Sequence, residues 1–298
     1  MPRILVVGSA NVDFTLALSR LPTVGETVTD GTLLVNHGGK GANQAVAARR
    51  LGADVRLIGC VGDDASGSAV RAALAAEGVG TAGVATSGAA ATGTALILVD
   101  REGRNQIAVA PGANRALTVE HVRERIDDVA WADIVLASCE VPLQAVRCVL
   151  ELARRRGIAT VLNPAPVPDV GLDFLELVDH LTPNAGEAAR LAGVDGDAAA
   201  AAILMARGAR SVVVTLGERG VLACGDGRPY HVPAFGVEVV DTTAAGDAFN
   251  GALAVALTEG RERPAALRFA SAAAALACTR RGAQASLPTR VEVERLVG

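Results

Sequence analysis

Lysine is almost missing from this 298-residue chain: Lys40 is the only one, and every other basic side chain except the four histidines is arginine. Aromatic residues make up only 2% of the chain, too few to build a stacking platform for nucleic-acid bases. The net charge is −4 with acids and bases interspersed, so no basic stripe points to a nucleic acid either. No C-x-x-C pair occurs. Cys60, Cys139, Cys148, Cys224 and Cys278 are dispersed, mostly in apolar runs, and read as small core residues of a reducing compartment. The histidines lie far apart in sequence, which argues against a His/Cys zinc site. Long hydrophobic runs are also lacking: Gly251–Leu257 and Phe269–Cys278 are too short to span a bilayer. The N-terminus enters Ile4–Val7 without the apolar core of a signal peptide, so a cytoplasmic protein is expected.

Half of the residues are hydrophobic, enough for a sizeable core in a single domain covering residues 1–298. Short aliphatic runs at Arg3–Val7, Val55–Cys60, Ala132–Ala137, Ile158–Leu162 and Ser211–Thr215 predict strands. Helical patterns at Asn43–Leu51, Gly67–Glu77, Val119–Asp128, Leu143–Arg156, Ala198–Arg207, Asp247–Glu259 and Ala265–Thr279 lie among them. Buried strands alternating with helices predict an α/β fold, a three-layer sandwich around a mostly parallel sheet. Ligands of such sheets gather at the carboxyl ends of the strands. Two regions break the rhythm. Phe14–Leu18 with Thr27–Val35, and Thr94–Val99 with Gln106–Ala110, read as strands without intervening helices. They predict a small, mostly antiparallel sheet near residues 14–36 and 94–110, whose exposed face must cover a site or a partner subunit.

Five motifs carry candidate chemistry. Gly8-Ser-Ala-Asn-Val-Asp13 follows the first strand but lacks the glycines of a dinucleotide fingerprint, which disfavours a dehydrogenase. Asn11 and Asp13, two apart in an extended segment, point the same way and suit vicinal hydroxyls; an Asx-turn is the plain alternative. Gly38-Gly-Lys-Gly-Ala-Asn43 surrounds the sole lysine with glycines, although Gly41 stands where a Walker A loop needs Ser or Thr. Arginine does not replace lysine where a compact point charge is needed; chance survival of one lysine in a plain loop-to-helix junction is the bland alternative. Asp241-Thr-Thr-Ala-Ala-Gly-Asp247 runs into a helix whose free N–H groups can hold a phosphoryl group, with Asp247 placed to take a proton or, more plainly, to cap the helix. Asn184 and Glu187 have the spacing of a capping box and equally that of an amide and carboxylate around hydrated Mg²⁺. Thr215-Leu-Gly-Glu-Arg-Gly220 is a glycine turn after a strand, fit for a nucleotide or simply for a turn. Glu140 adds a carboxylate after Ala132–Ala137.

Gly38–Asn43, with Gly52 and Gly62 at their spacings, resembles the N-terminal signature of the ribokinase-type (PfkB) carbohydrate kinases. Asp241–Gly251 resembles their C-terminal signature, and the likeness runs in order from Gly8 to Pro288. The resemblance implies a large α/β domain with a β-sheet lid. It implies ATP-dependent phosphorylation of D-ribose at O5, with Asp247 as base and Ala244, Ala245 and Gly246 as the anion hole. Asn11, Asp13, Gly39, Lys40, Asn43 and Glu140 would hold the sugar. Asn184 and Glu187 would serve phosphate and Mg²⁺, and Thr215, Leu216, Gly217, Glu218, Arg219 and Gly220 would lie along the nucleotide. Ser271 stands where relatives often carry a larger polar residue near adenine. A K⁺-type site would use Asp241, Thr243, Ala277, Arg280, Gly282 and Ser286. Another furanose, such as 2-deoxyribose or a nucleoside, is the rival substrate, and a non-catalytic sugar-binding regulator the rival class. A homodimer through the small sheet is expected.

Overall fold

The run Ile4–Val7 has no solvent face. Ile4 and Val6 enter one hydrophobic core, and Leu5 and Val7 enter another on the opposite side. A strand buried in this way must lie inside a sheet with helices on both faces. A computed structural model of the chain, describing residues 1–225 and 227–298, shows this arrangement. Its first half contains β1 (Arg3–Val7), β2 (Asn11–Ala17), β3 (Thr32–Gly38), α1 (Lys40–Arg50), β4 (Asp54–Gly62), α2 (Ala65–Ala76), β5 (Gly80–Ser87), β6 (Gly93–Val99) and β7 (Asn105–Ala110). Next come α3 (Val119–Glu124), α4 (Ile126–Trp131), β8 (Ile134–Ser138), α5 (Leu143–Arg155), β9 (Ala159–Asn163), β10 (His180–Leu181), α6 (Ala185–Ala192) and α7 (Asp197–Ala206). The chain ends with β11 (Val212–Thr215), β12 (Val221–Cys224), β13 (Tyr230–Val232), α8 (Ala245–Thr258), α9 (Arg263–Ala277) and α10 (Arg290–Val297).

Nine strands form the central sheet in the order β13-β12-β11-β10-β9-β8-β1-β4-β5. All neighbours from β11 to β5 are parallel, while β12 and β13 add an antiparallel edge. One core holds α1, α8 and α9 against the sheet, the other α5, α6 and α7. The three-layer expectation is met. A second sheet, β3-β2-β6-β7, has one parallel and two antiparallel pairings and is the lid.

Several predicted boundaries move. The strand predicted at Thr27–Val35 lies at Thr32–Gly38, because β3 pairs along the whole of β2 and runs directly into α1. The lid strand predicted at Phe14–Leu18 begins at Asn11, so the two polar candidates sit inside it. The helix predicted over Val119–Asp128 is two short helices broken at Arg125. β5 matches none of the predicted strands, and β10 is two residues long, too short for any periodicity to register.

Helices α1 and α8 pack backbone to backbone. A Cβ built on Gly251 would stand 2.7 Å from Ala47 Cβ and 2.9 Å from both Ala48 N and the Gln44 carbonyl. Two of those three neighbours are backbone atoms, which cannot rotate aside. Gly251→Val is therefore expected to destabilise the fold by about 1–3 kcal/mol, the usual cost of overpacking. Urea unfolding checks this, and an unchanged midpoint would mean that the two helices part freely.

Candidate active site

Four chain segments converge at the carboxyl end of β1. The first is Gly8–Ala10, which leads from β1 into β2 of the lid. The second is the start of α1, seated so closely that a Cβ on Gly41 would lie 2.5 Å from the Gly8 carbonyl carbon. The third follows β8 and carries Glu140. The fourth is the first turn of α8. Glu140 joins two of them: it accepts hydrogen bonds from the Lys40 amide at 3.1 Å and from the Ser9 hydroxyl.

Asp247 lies in the first turn of α8 but caps nothing. The helix cap is Ala244, in the left-handed region at φ 61°, and no side chain caps the amides of the first turn. The Asp247 carboxylate, 6% exposed, turns instead to α1. Its Oδ2 accepts from Asn43 Nδ2 and its Oδ1 from Gln44 Nε2, each at 3.0 Å. Burial pushes the Asp247 carboxyl above its ordinary range, against the pull of Lys40 and these two amides. The Ala245 amide is spent on the Thr242 carbonyl, whereas the amides of Gly246 and Asp247 have no acceptor among the described residues. Two free N–H groups at a helix start, beside a buried carboxylate, can hold an anion.

A cavity of about 220 Å³ opens here. It brings together Lys40, Asn184, Glu187, Thr215, Ala244, Gly246 and Asp247 from the sequence-derived candidates, and adds Asn163, Thr182, Thr242 and Asn250. Burial pulls the Lys40 ammonium down, but Asp247, Glu140 and Glu187 together hold its pKa above the usual value, so it stays charged. Asn184 and Glu187 form the capping box: each backbone amide donates to the other's side chain, at 2.8 Å. They line the cavity all the same. Of the glycine turn after β11, only Thr215 reaches the cavity; Leu216 leads into the exposed turn Gly217–Arg219, closed by the Leu216 amide on the Gly220 carbonyl. Ser271 is apart from all of these. It is buried in α9, and its hydroxyl has neither solvent nor a partner.

On the lid, Asn11 and Asp13 share one face of β2, as their spacing predicts. Asn114, unmarked by any motif, decides how the Asn11 amide is turned. The Ala10 N–H can only donate, and it reaches Asn114 Oδ1 at 2.9 Å. Asn114 Nδ2 then donates to Asn11 Oδ1 at 2.7 Å, which leaves the Asn11 NH₂ unspent. Gly39, in the left-handed region at φ 88°, packs its backbone against Ala10 and Asn11.

The Asp241 loop is tied to the end of α9. Asp241 Oδ1 accepts from the Thr243 amide and hydroxyl at 2.9 and 2.6 Å, and Oδ2 accepts from the Gly282 amide at 2.9 Å. The Val240 and Asp241 amides both donate to the Cys278 carbonyl. The Arg280 guanidinium pairs with Glu292, so Arg280 has only its main-chain oxygen to offer, whereas the Ser286 hydroxyl donates to the Ala283 carbonyl and keeps its oxygen lone pairs. A larger cavity, about 890 Å³, opens at the other end of the same sheet among Arg154, Thr160, His180, Arg210 and Arg263. None of the candidates reaches it.

Residues 1–290 match the pfkB family carbohydrate kinase profile. The chain belongs to this family. It is 40% identical to the ribokinase of Haemophilus influenzae, over 96% of this chain and 95% of that one. It is also 40% identical to the ribokinase of Bacillus subtilis, over the full length of both. The structure of Arabidopsis thaliana ribokinase complexed with ribose and ATP superposes with a TM-score of 0.90, at 32% identity, covering 99% of this chain and 98% of that one. The protein is thus a carbohydrate kinase, which transfers a phosphoryl group to an alcohol.

The kinase holds one acid at a cost. Burial first, then the nearby Glu140 and Asp247 charges, push the Asp13 carboxyl up to about 6. A carboxyl raised on folding binds its proton more tightly in the native state, so stability falls as pH climbs from about 4 through 6. Asp13→Asn removes that cost. It is expected to stabilise the fold by about 1–3 kcal/mol at pH 8 and to add nothing at pH 4. Urea unfolding at both pH values checks this; destabilisation at pH 8 would refute it.

Proposed function

We propose that the kinase phosphorylates D-ribose at O5 with ATP, and that Asp247 is the base. One observation carries the assignment: the Asp247 carboxylate turns away from its own helix end, leaving free N–H groups there, and is oriented by two amides. A buried carboxylate with a raised pKa is a better proton acceptor than an exposed one. It takes the proton of the O5 hydroxyl as O5 bonds to the γ-phosphorus and the bond to the leaving ADP breaks. The amides of Gly246 and Asp247 receive the equatorial charge, and the Lys40 ammonium supplies the countercharge. Lys40 lines the same cavity as this carboxylate and Glu187.

Asn11, Asp13, Gly39, Lys40, Asn43 and Glu140 form the sugar side. The free Asn11 NH₂ matches a ring hydroxyl oxygen acting as acceptor, and Asp13 accepts in return. That pairing favours ribose over 2-deoxyribose, which would leave the buried amide unmatched. Thr215–Gly220 are assigned to the nucleotide side; Ser271, buried in α9 with its hydroxyl shut off from solvent, is not. Among the described residues no three His, Cys, Asp or Glu side chains converge on a metal position. The donor set here, Asn184 and Glu187 lining the cavity, fits a hydrated Mg²⁺ that arrives with ATP. Such an ion neutralises phosphate charge. For a monovalent ion, three hydrogen bonds reach the Asp241 carboxylate, which leaves lone-pair capacity for K⁺ beside the carbonyl-rich 277–286 segment. K⁺ bound by Asp241, Thr243, Ala277, Arg280, Gly282 and Ser286 would order the loop that leads into the first turn of α8. Five unpaired cysteines agree with a cytoplasmic setting.

The lid is assigned to a homodimer. Leu33, Val35 and Leu96 lie on one of its faces, and Leu34, Ile107 and Val109 on the face shared with Asp13; all six are 50–58% exposed. A four-stranded sheet with apolar residues bare on both faces needs a cover beyond one small sugar. The double variant Leu96→Asp, Ile107→Asp is expected to sediment as monomer where the wild type sediments as dimer at micromolar concentration. A monomeric wild type would overturn the assignment.

The chemistry is tested by steady-state assay with ATP. Asp247→Asn is expected to lower kcat by about 10²–10⁴-fold while the fold, by circular dichroism, is kept. Wild-type kcat/KM is expected to be roughly 5- to 150-fold lower for 2-deoxyribose than for ribose, the worth of one unmatched polar group. The rate is expected to be higher in KCl than in NaCl at equal ionic strength. Near-normal turnover by Asp247→Asn removes the base, equal use of both sugars removes the Asn11 assignment, and equal rates in both salts remove the K⁺ assignment.

A further inference from the structure

Gln44 lies in the middle of α1, follows the glycine signature, and has no exposure to solvent. Its Nε2 bridges Asp247 Oδ1 at 3.0 Å and Asn163 Oδ1 at 3.2 Å. An amide can be turned either way, so what fixes it must be a group with only one role. The Thr182 carbonyl is such a group, since it can only accept. Asn163 gives it Nδ2 at 3.2 Å and is left with Oδ1 toward Gln44, which must then present its NH₂ and turn it on Asp247. Asn43, the other amide on the carboxylate, has no such guide: its Oδ1 is buried without a partner. Thr182 carries the connection onward. Its hydroxyl donates to Asn250 Oδ1 at 2.6 Å, and Asn250 Nδ2 donates to the Gly246 carbonyl at 2.8 Å. The path thus leaves the Asp247 side chain and returns to the backbone one residue before it. Asn163, Thr182 and Asn250 are all buried.

We propose that Gln44 is a positioning residue of this kinase, holding Asp247 as a hydrogen-bond acceptor, and that Asn163 sets its amide through the Thr182 carbonyl. The proposal rests on Asp247 being the base. Gln44 keeps this place at a cost, because its own Oε1 is buried and unpartnered. A side chain kept only for packing at this point would be apolar.

The direction of the effect on pH follows. The Gln44 hydrogen bond favours the charged carboxylate, so its loss raises the carboxyl's pKa. Lys40 and Glu140 face the same carboxylate, and Asp13 feels it from the lid. All three stay in place in the variants. Gln44→Leu is expected to lower kcat about 10- to 100-fold with a much smaller change in ribose KM. The acid limb of its kcat–pH profile should move up by roughly half to one unit. Asn163→Leu, which does not touch Asp247, should move the limb the same way by less, and it carries the test if Gln44→Leu fails to fold. In an Asp247→Asn background, Gln44→Leu should lower kcat no further, because both changes act through one group. An unshifted acid limb in both single variants, or an equal loss in both backgrounds, would overturn the positioning role while leaving Asp247 as base. Full activity of Asp247→Asn would instead remove the base itself.

Discussion

The close contact of α1 with α8 at Gly251 is the constraint on which the site depends. Asp247 is too buried to keep a charge unless donors are brought to it, and none come from its own helix. They come from Asn43 and Gln44, 204 and 203 residues away in the chain. Those amides reach across only because α8 has no side chain at Gly251 and lets the backbone of α1 approach at Ala48 and Gln44. The same packing that fills one core therefore also assembles the surroundings of the proposed base. A shift of α1 away from α8 would cost both packing and charge solvation, and the second loss falls on the Asp247 carboxylate.

The lid shares this seat. β3 runs without a loop into α1, and β1 passes into β2 through three residues, so the lid is hinged on the segments that carry Lys40, Asn43 and Gln44. Glu140 braces the joint by accepting from Ser9 on one side and the Lys40 amide on the other. The groups proposed for the sugar and for the phosphate thus share a common backbone origin within a few residues of Gly8 and Gly41. A lid built on this joint can present Asn11 and Asp13 to the same ligand that meets Asp247, without long connecting loops to blur their positions.

Much of this was legible in the sequence. Alternation of aliphatic strands with helices predicts the sandwich, and strands without helices at 14–36 and 94–110 predict the lid. The two glycine-containing signatures mark the starts of α1 and α8, because free helix N–H groups and close backbone approach both demand small residues there. The supporting shell is what escaped. Gln44 sits among good helix formers and carries no spacing that separates it from a surface glutamine. Asn114 lies in a 3₁₀ turn, and Asn163 at the end of a strand, where asparagine is ordinary punctuation. Thr182 follows a two-residue strand. Each gains meaning only from partners 19 to 119 residues distant, which no local pattern contains. The Asn184–Glu187 pair shows the reverse. Its spacing has two physical readings, the capping box is formed, and the pair still lines the cavity.

The site carries several costs of its own. Ala244 occupies the left-handed region without being glycine, Asp13 is held near a pKa of about 6, and Asn43 and Gln44 each bury an unmatched oxygen. Such costs cluster where function requires a geometry that stability alone would not select. The solitary lysine fits the same logic. A chain that uses arginine everywhere else keeps one ammonium where Asp247, Glu140 and Glu187 converge. A guanidinium would fork toward these carboxylates and engage them bidentately. A compact ammonium balances their charge while leaving the oxygens of Asp247 to the two amides and, in the proposed mechanism, to the hydroxyl that gives up its proton.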